Sequence, residues 1–436
     1  KLVSIHFRNR KIKVFVIYKK KNTDIDLKKI KNVNKILEKE KFFNGRDLKL
    51  YRWMSDYYNV NLHSIIRAAV PSGIINQKVN KKKKRYIKLK HDKEKTRSFI
   101  NKIKNKAPKQ AAVLKVLLEN PSYDLNKTDL ARKADSYIGA VNALIDKDYL
   151  KEIEGIEIRR PYLEKNESEK EAFDPNKYQK RAIGKIRDYI SNDDKSEVFL
   201  LHGVTGSGKT EVYLQLVEKA LKKNQGAIIL VPEISLAPIM VRRLYSRFGD
   251  KIAVLHSNLS QGERYDEWRR LKNEEAKIAI GARSAIFAPV QNLGLIIIDE
   301  EHENSYKQSS YPYYHARETA VKKAKIYGIP LILGSATPSI KSYFLADKGY
   351  YKYISLPERI NKREMPPVEL IDMRDEMKEG NLSIFSFKLK KAIKDALARD
   401  EQILLFLNRR GYSSFVLCRE CGHVIRCKNC DISLNY

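Results

Sequence analysis

The chain has 436 residues, 32% of them charged, which is long enough for about three domains that each bury a core. Its 86 lysines and arginines outnumber 53 aspartates and glutamates, and the resulting +33 favours a polyanionic partner whose binding weakens steeply with salt. No apolar run approaches the ~20 residues of a membrane-spanning helix, and four cysteines confined to 418–430 fit a reducing, cytoplasmic setting and metal binding better than a disulfide framework.

The charge is concentrated at the front. Residues 1–110 carry 33 basic and 8 acidic side chains, so 25 of the 33 excess positive charges lie in the first quarter. There, residues 11–17 alternate like a strand and 48–58 have helical spacing, so 1–105 reads as a mixed α/β DNA-binding domain followed by a basic linker. Lys81-Lys82-Lys83-Lys84-Arg85 opens the basic stretch, which runs to Lys109 and reads either as solvated linker or as surface against DNA backbone. Over 106–165, three short helical patterns (109–120, around 128–131, 138–144) precede a strand pair near 149–158. That order predicts a winged helix, a module that does not by itself prove DNA contact.

Residues 173–345 alternate apolar strand runs with helical stretches, which predicts an α/β lobe with a parallel, doubly wound sheet. The first run, 198–201, leads into Gly203-Val204-Thr205-Gly206-Ser207-Gly208-Lys209-Thr210 and then a helix. In that context Gly203, Thr205, Gly206, Ser207 and Gly208 turn backbone N–H groups around phosphates. Lys209 reaches the terminal ones and the Thr210 hydroxyl can hold Mg²⁺. The run at 295–298 ends in Asp299-Glu300-Glu301-His302. Asp299 fits as the second Mg²⁺ partner and Glu300 as the group that orients or deprotonates an attacking water, because phosphoryl transfer needs a placed nucleophile and charge neutralisation. The catalytic set is therefore Lys209, Asp299 and Glu300, spending nucleoside triphosphate.

Gly334-Ser335-Ala336-Thr337-Pro338-Ser339 follows the last run of the lobe, where Ser335 and Thr337 can relay hydrogen bonds between the nucleotide and a neighbouring cleft. His302 reads as a coupling residue between nucleotide and DNA, or as a structural histidine. Pro232-Glu233-Ile234-Ser235 and Gly281-Ala282-Arg283-Ser284-Ala285 follow strands on the side expected to face DNA, or are ordinary turns. Tyr306, Lys307, Tyr311, Tyr313, Tyr314 and Arg317 set four tyrosines among cations behind the acidic motif. Bases stack on such rings at about 1 to 3 kcal/mol each, although tyrosines also pack lobe surfaces.

Residues 346–436 open a second α/β unit, with strand patterns at 368–371 and 403–407 and a helix near 387–398. Cys418-x2-Cys421-x5-Cys427-x2-Cys430 pairs thiolates at zinc-knuckle spacing. The five-residue gap is tighter than usual, so the cysteines read as two half sites completed elsewhere, with closure of one site as the alternative.

Together these motifs resemble the PriA family, the bacterial primosomal helicases of replication restart. The resemblance runs from Asn44-Gly45-Arg46-Asp47-Leu48 and Tyr57-Tyr58 through the phosphate loop, Ala282-Arg283-Ser284-Ala285, Asp299-Glu300-Glu301-His302 and Tyr314-His315-Ala316-Arg317 to Asn408-Arg409-Arg410-Gly411-Tyr412 and the cysteine knuckles. It implies a 3′-end-binding domain, a winged helix, two RecA-like P-loop lobes and a two-zinc insertion in the second lobe. By position, Gln179 would read adenine, although Pro175 stands where the family usually has leucine, and Glu303 where it often has aspartate. The resemblance further implies ATP-driven 3′-to-5′ unwinding of forked DNA, single-stranded regions and 3′ ends as ligands, and primosome proteins and single-stranded DNA-binding protein as partners on the nucleoid. A duplex translocase and a non-catalytic fork scaffold are the competing readings. The sequence opens on Lys1 and lacks the family's last motifs, with the arginine that completes the ATP site, so weak turnover is expected of it.

Overall fold

A computed structural model describes residues 1–8, 10–19, 22, 24–26, 30–38, 41–76, 82–120, 125–157, 174–190, 196–232, 238–360, 366–406 and 423–428. Its first unit, Lys1–Arg363, begins with a small antiparallel sheet in the order β2-β1-β3, built from β1 (Leu2–Phe7), β2 (Arg10–Phe15) and β3 (Val33–Glu38). Helices α1 (Gly45–Tyr57), α2 (Leu62–Ala69) and α3 (Ser72–Asn76) follow. Asn44 starts α1 with a reciprocal capping box to Asp47, which satisfies two otherwise orphaned N–H groups.

These helices do not close a core of their own. Leu50, Tyr51 and Met54 of α1 and Ile65 and Ile66 of α2 are buried in one cluster with Trp268, Phe287 and Tyr314 of the following lobe. At roughly 1.5 to 3 kcal/mol per large apolar side chain removed from water, that shared core holds the front helices to the lobe. Polar contacts fix the register. Tyr327 Oη donates to Asp47 Oδ1 at 2.6 Å, and Tyr58 Oη accepts from the His315 backbone N–H at 3.1 Å.

The basic stretch read as a linker forms β4 (Lys82–Leu89) and α4 (Lys93–Ile103). Strand β4 pairs antiparallel with β5 (Leu150–Glu157), Leu89 opposite Leu150. Helices α5 (Pro108–Glu119), α6 (Lys127–Lys133) and α7 (Ile138–Asp146) lie between them in sequence. Ile87 and Ile100 are buried with Val113, Leu114, Leu130, Val141 and Leu144. The apolar residues embedded in the basic run are what draw it into this core.

The lobe proper runs through α8 (Lys177–Ile190), β6 (Val198–Gly203), α9 (Lys209–Lys222), β7 (Gly226–Leu230), α10 (Pro238–Phe248), β8 (Ile252–Leu255), α11 (Gln261–Lys272), β9 (Ile278–Gly281), β10 (Leu293–Ile298), α12 (Ala316–Tyr327), β11 (Leu331–Ser335), α13 (Ile340–Asp347) and β12 (Lys352–Leu356). The sheet is seven-stranded and parallel, in the order β12-β6-β11-β10-β7-β9-β8. This is the RecA-like α/β arrangement, and its central strands are apolar throughout because helices cover both faces. β12 pairs with β6 and carries the lobe past residue 345, where the sequence pattern had ended it.

The second unit, Glu364–Tyr436, contains α14 (Met373–Lys378) and the expected helix α15 (Phe387–Ala398). The strand patterns at 368–371 and 403–406 do not form strands: no neighbour pairs with them among the described residues, and Leu370 and Leu404 are 94% and 93% exposed. Cys427 lies within 423–428, whereas Cys418, Cys421 and Cys430 lie outside the described residues, as do residues 233–237.

Candidate nucleotide and nucleic-acid site

The sheet order decides where the chemistry meets. β11 lies between β6 and β10, so the phosphate loop after β6, the acidic motif after β10 and the serine-threonine motif after β11 emerge side by side at the carboxyl edge. Ligands of parallel sheets bind at such an edge.

The loop is built for close approach of an anion. Gly206 and Gly208 adopt φ of +83° and +81°, the left-handed region that other residues enter at a cost. A Cβ on Gly208 would stand 2.2 Å from Gln179 Nε2, and one on Gly203 would stand 2.5 Å from Ser207 Oγ. Ser207 Oγ is itself buried without a hydrogen-bond partner, an unmet polar atom inside the cradle. Lys209 is buried, donates to the Gly203 carbonyl at 2.9 Å and lies 3.6 Å from Glu300 Oε1. Thr205 sits at the exposed loop tip. Gln179 braces the loop from behind, donating to the Ser207 carbonyl at 3.1 Å while its Oε1 accepts from Asn176 N–H at 2.8 Å.

Asp299 accepts a hydrogen bond from Tyr213 Oη at 3.0 Å. Tyr213 follows Thr210 by three residues of α9, a spacing that sets the two on one face of the helix. Burial first, and then the charge of Glu300, push the Asp299 carboxyl up to about 6. Such a carboxylate gains from a nearby cation. Glu300 has a φ of +44°, a conformation that costs a non-glycine residue energy and turns its side chain back toward Lys209 and His302. The unmet Ser207 hydroxyl, the caged lysine and the buried aspartate fit a nucleoside triphosphate with its magnesium ion.

The three coupling residues come together. His302 Nδ1 lies 2.8 Å from Ser335 Oγ, and Nε2 lies 3.4 Å from Thr337 Oγ1. Ser335 Oγ accepts from Thr337 N–H at 3.0 Å. His302 Nδ1 is also 3.6 Å from Glu300 Oε2, so one imidazole touches both the acidic motif and the segment after β11.

The DNA-facing set divides. Lys307 is exposed. Arg283 Nη1 donates to the Lys307 carbonyl at 2.9 Å, and its guanidinium lies 5.9 Å from the centre of the Tyr314 ring. Tyr306 and Tyr314 are buried, so neither offers a face to a base: Tyr306 Oη donates to the Asp299 carbonyl at 2.6 Å, and Tyr314 packs on Phe287. Arg317 is also drawn inward, its Nη1 2.5 Å from Glu301 Oε2 and 2.7 Å from Ser339 Oγ. The exposed rings of this segment are Tyr311 and Tyr313.

The sequence reading passed over Glu301, whose buried carboxylate also accepts from Ser339 N–H at 2.7 Å and Ser342 Oγ at 2.8 Å. It missed Tyr213, whose only signal is its place one turn after Thr210.

Residues 176–344 match the family described as DEAD/DEAH box helicase, and residues 1–71 match the 3′DNA-binding domain (3′BD). The chain is 46% identical to the replication restart protein PriA of Bacillus subtilis over 404 residues, 91% of this chain and 50% of that one. It is 36% identical to that of Chlamydia pneumoniae over 439 residues, 100% of this chain and 58% of the relative. Against that of Synechocystis it is 53% identical over 242 residues, 54% of this chain and 29% of the relative. The chain thus spans about half the length of the curated relatives it matches over most of its own.

Proposed function

We propose, taking as premise that this chain belongs to the PriA family of replication restart proteins, that it is part of an ATP-dependent DNA helicase that moves 3′ to 5′, recognises stalled or branched forks and starts primosome assembly. The observation that carries the motor reading is the convergence of Lys209, Asp299, Glu300, Ser335 and Thr337 at one edge of the parallel sheet.

In this reading the backbone around Gly206 and Gly208 and the Lys209 ammonium receive the phosphates, and Gln179 stands where the adenine is read. Thr210 and Asp299 would hold a magnesium ion, which supplies charge neutralisation at the transferring phosphoryl group. Glu300 orients the attacking water and takes its proton. As Glu300 gains that proton, its interaction with His302 changes, and the imidazole passes the change to Ser335 and Thr337. Arg283 and Lys307 lie on the side where the strand is gripped, and residues 1–71 take the 3′ end. Residues 106–165, together with the strand and helix that precede them, act as a winged helix. Cys418, Cys421, Cys427 and Cys430 are half of a two-zinc insertion, and other primosome proteins and single-stranded DNA-binding protein dock on the assembled fork complex.

The test is ATP hydrolysis with and without single-stranded DNA, with strand displacement on a fork carrying a 3′ tail. Lys209→Ala is expected to lower hydrolysis by at least about 100-fold while leaving DNA binding in place. Unchanged fork activity in that variant would leave a scaffold as the function, and hydrolysis without displacement would leave a duplex translocase.

A further inference from the structure

Tyr213 lies on α9 four residues after Lys209 and three after Thr210, so one face of this helix carries the lysine, the threonine and the tyrosine. Its ring is 1% exposed and belongs to one apolar cluster with Leu201, Leu216, Leu295 and Ile297. A phenylalanine would meet the same neighbours. The hydroxyl is what that core does not explain, and it donates to Asp299 Oδ1 at 3.0 Å.

Strand β11 makes room for this contact. A Cβ on Gly334 would stand 1.6 Å from Tyr213 Oη and 2.8 Å from Cζ, so a side chain there would push the hydroxyl off the carboxylate. Asp299 is meanwhile fixed along its backbone: its N–H donates to the Leu230 carbonyl at 2.9 Å, and its own carbonyl accepts from Tyr306 Oη at 2.6 Å. Those two contacts place the main chain but leave the carboxylate plane to be set by other groups. A carboxylate that binds a metal is aimed by its outer hydrogen-bond partners. A donor on Oδ1 sets the plane, and with it the direction of Oδ2.

We propose that Tyr213 is a positioning residue for magnesium, whose hydroxyl orients the Asp299 carboxylate for the ion. The proposal rests on the reading of Thr210 and Asp299 as the magnesium ligands and adds the group that aims one of them. The two tyrosines at Asp299 thereby divide their roles. Tyr306 holds the backbone and Tyr213 holds the carboxylate.

The experiment titrates magnesium chloride into this chain with a fluorescent, non-hydrolysable ATP analogue and reads the concentration that gives half of the magnesium-dependent rise in binding. Tyr213→Phe is expected to raise that concentration about 10-fold, as loss of an outer partner of a metal ligand does, while binding of the analogue in EDTA stays at the wild-type value. Tyr306→Phe removes a buried hydroxyl from the same aspartate's backbone and is expected to leave the magnesium requirement unchanged. Gly334→Ala keeps the tyrosine but displaces its hydroxyl, and is expected to raise the requirement as Tyr213→Phe does. Thermal melting checks that each variant is folded. A wild-type magnesium requirement in Tyr213→Phe or in Gly334→Ala would overturn the proposal. An equal shift in Tyr306→Phe would also overturn it, reducing both hydroxyls to structural supports. A different result would sink the premise: if the unaltered chain binds the analogue equally with and without magnesium, or Asp299→Asn keeps the wild-type requirement, Asp299 is not a magnesium ligand and the role of Tyr213 falls with it.

Discussion

The phosphate loop and the tyrosine-rich segment 306–317 lie at the same edge of one sheet, yet they treat their conspicuous residues in opposite ways. In the loop, the glycines hold a tight turn that has little side chain to bury, Lys209 is held by the Gly203 carbonyl, and the Ser207 hydroxyl stays unmet. In the tyrosine segment, Tyr306, Tyr314 and Arg317 turn inward and satisfy the protein itself. The difference lies in what each residue type can do once buried. A tyrosine or arginine has an apolar body that gains from burial and a polar tip that needs only one fixed acceptor, whereas a glycine-rich turn has nothing to bury. The segment behind the acidic motif is therefore a joint before it is a binding surface.

Glu301 is the sharpest way to break that contrast. It sits next to Glu300 in sequence but is fully buried and accepts from Arg317, Ser339 and Ser342. Glu301→Ala would take the nearer carboxylate from the Arg317 guanidinium, which is 11% exposed, and leave it only Glu318 at 3.6 Å. Removing one partner of a buried pair costs about 3 to 5 kcal/mol, so urea unfolding should show a loss of that size. A loss under about 1 kcal/mol would mean that Arg317 is free to serve DNA, as its position in the sequence suggested.

A smaller effect separates the buried rings from the exposed ones. Tyr306→Phe removes the hydroxyl that donates to the Asp299 carbonyl and is expected to cost about 1 kcal/mol. Tyr313→Phe, at a residue 54% exposed, should stay within about 0.5 kcal/mol. Equal costs in the two variants would erase the distinction.

The same contrast explains what could be read from the residues alone. Strands β6, β7, β8, β9, β10 and β11 were legible because strands covered on both faces are apolar throughout. β12 was not: Lys352, Tyr353 and Ser355 give it the mixed character of an edge, and only its pairing with β6 makes it a strand of this lobe. The basic run at 81–85 hid β4, whose partner lies more than sixty residues away at β5, a pairing no local pattern announces. Helical spacing exposed the apolar face of α1 but not that the face is completed by Trp268 and Phe287. In the candidate site the motifs located Lys209, Asp299 and His302, because their chemistry depends on spacing along the chain. They could not say which tyrosines of 306–314 point inward, because tertiary packing decides that.

The smallest expected effect tests the joint through its histidine. His315 caps α12, its Nδ1 accepting from Arg317 N–H at 3.3 Å, while its backbone groups hold Tyr58 of the front helices. Burial first, and then the charge of Arg317, lower the ring from 6.5 to about 4. The unfolded chain therefore takes up this proton near pH 6.5 and the folded chain only near 4. Between those values the unfolded state binds more protons, so the stability that neutral His315 contributes is present above 6.5 and is lost as pH falls toward 4. His315→Asn keeps a side-chain acceptor at the cap but does not titrate. Melting temperatures followed by circular dichroism at pH 7, 6 and 5 should fall faster in the wild-type chain than in this variant. Because the ring is partly exposed and screened, the extra drop should be about 1 °C. Parallel slopes would show that the ring is hydrated in solution, and that the hold on Tyr58 comes from the backbone alone.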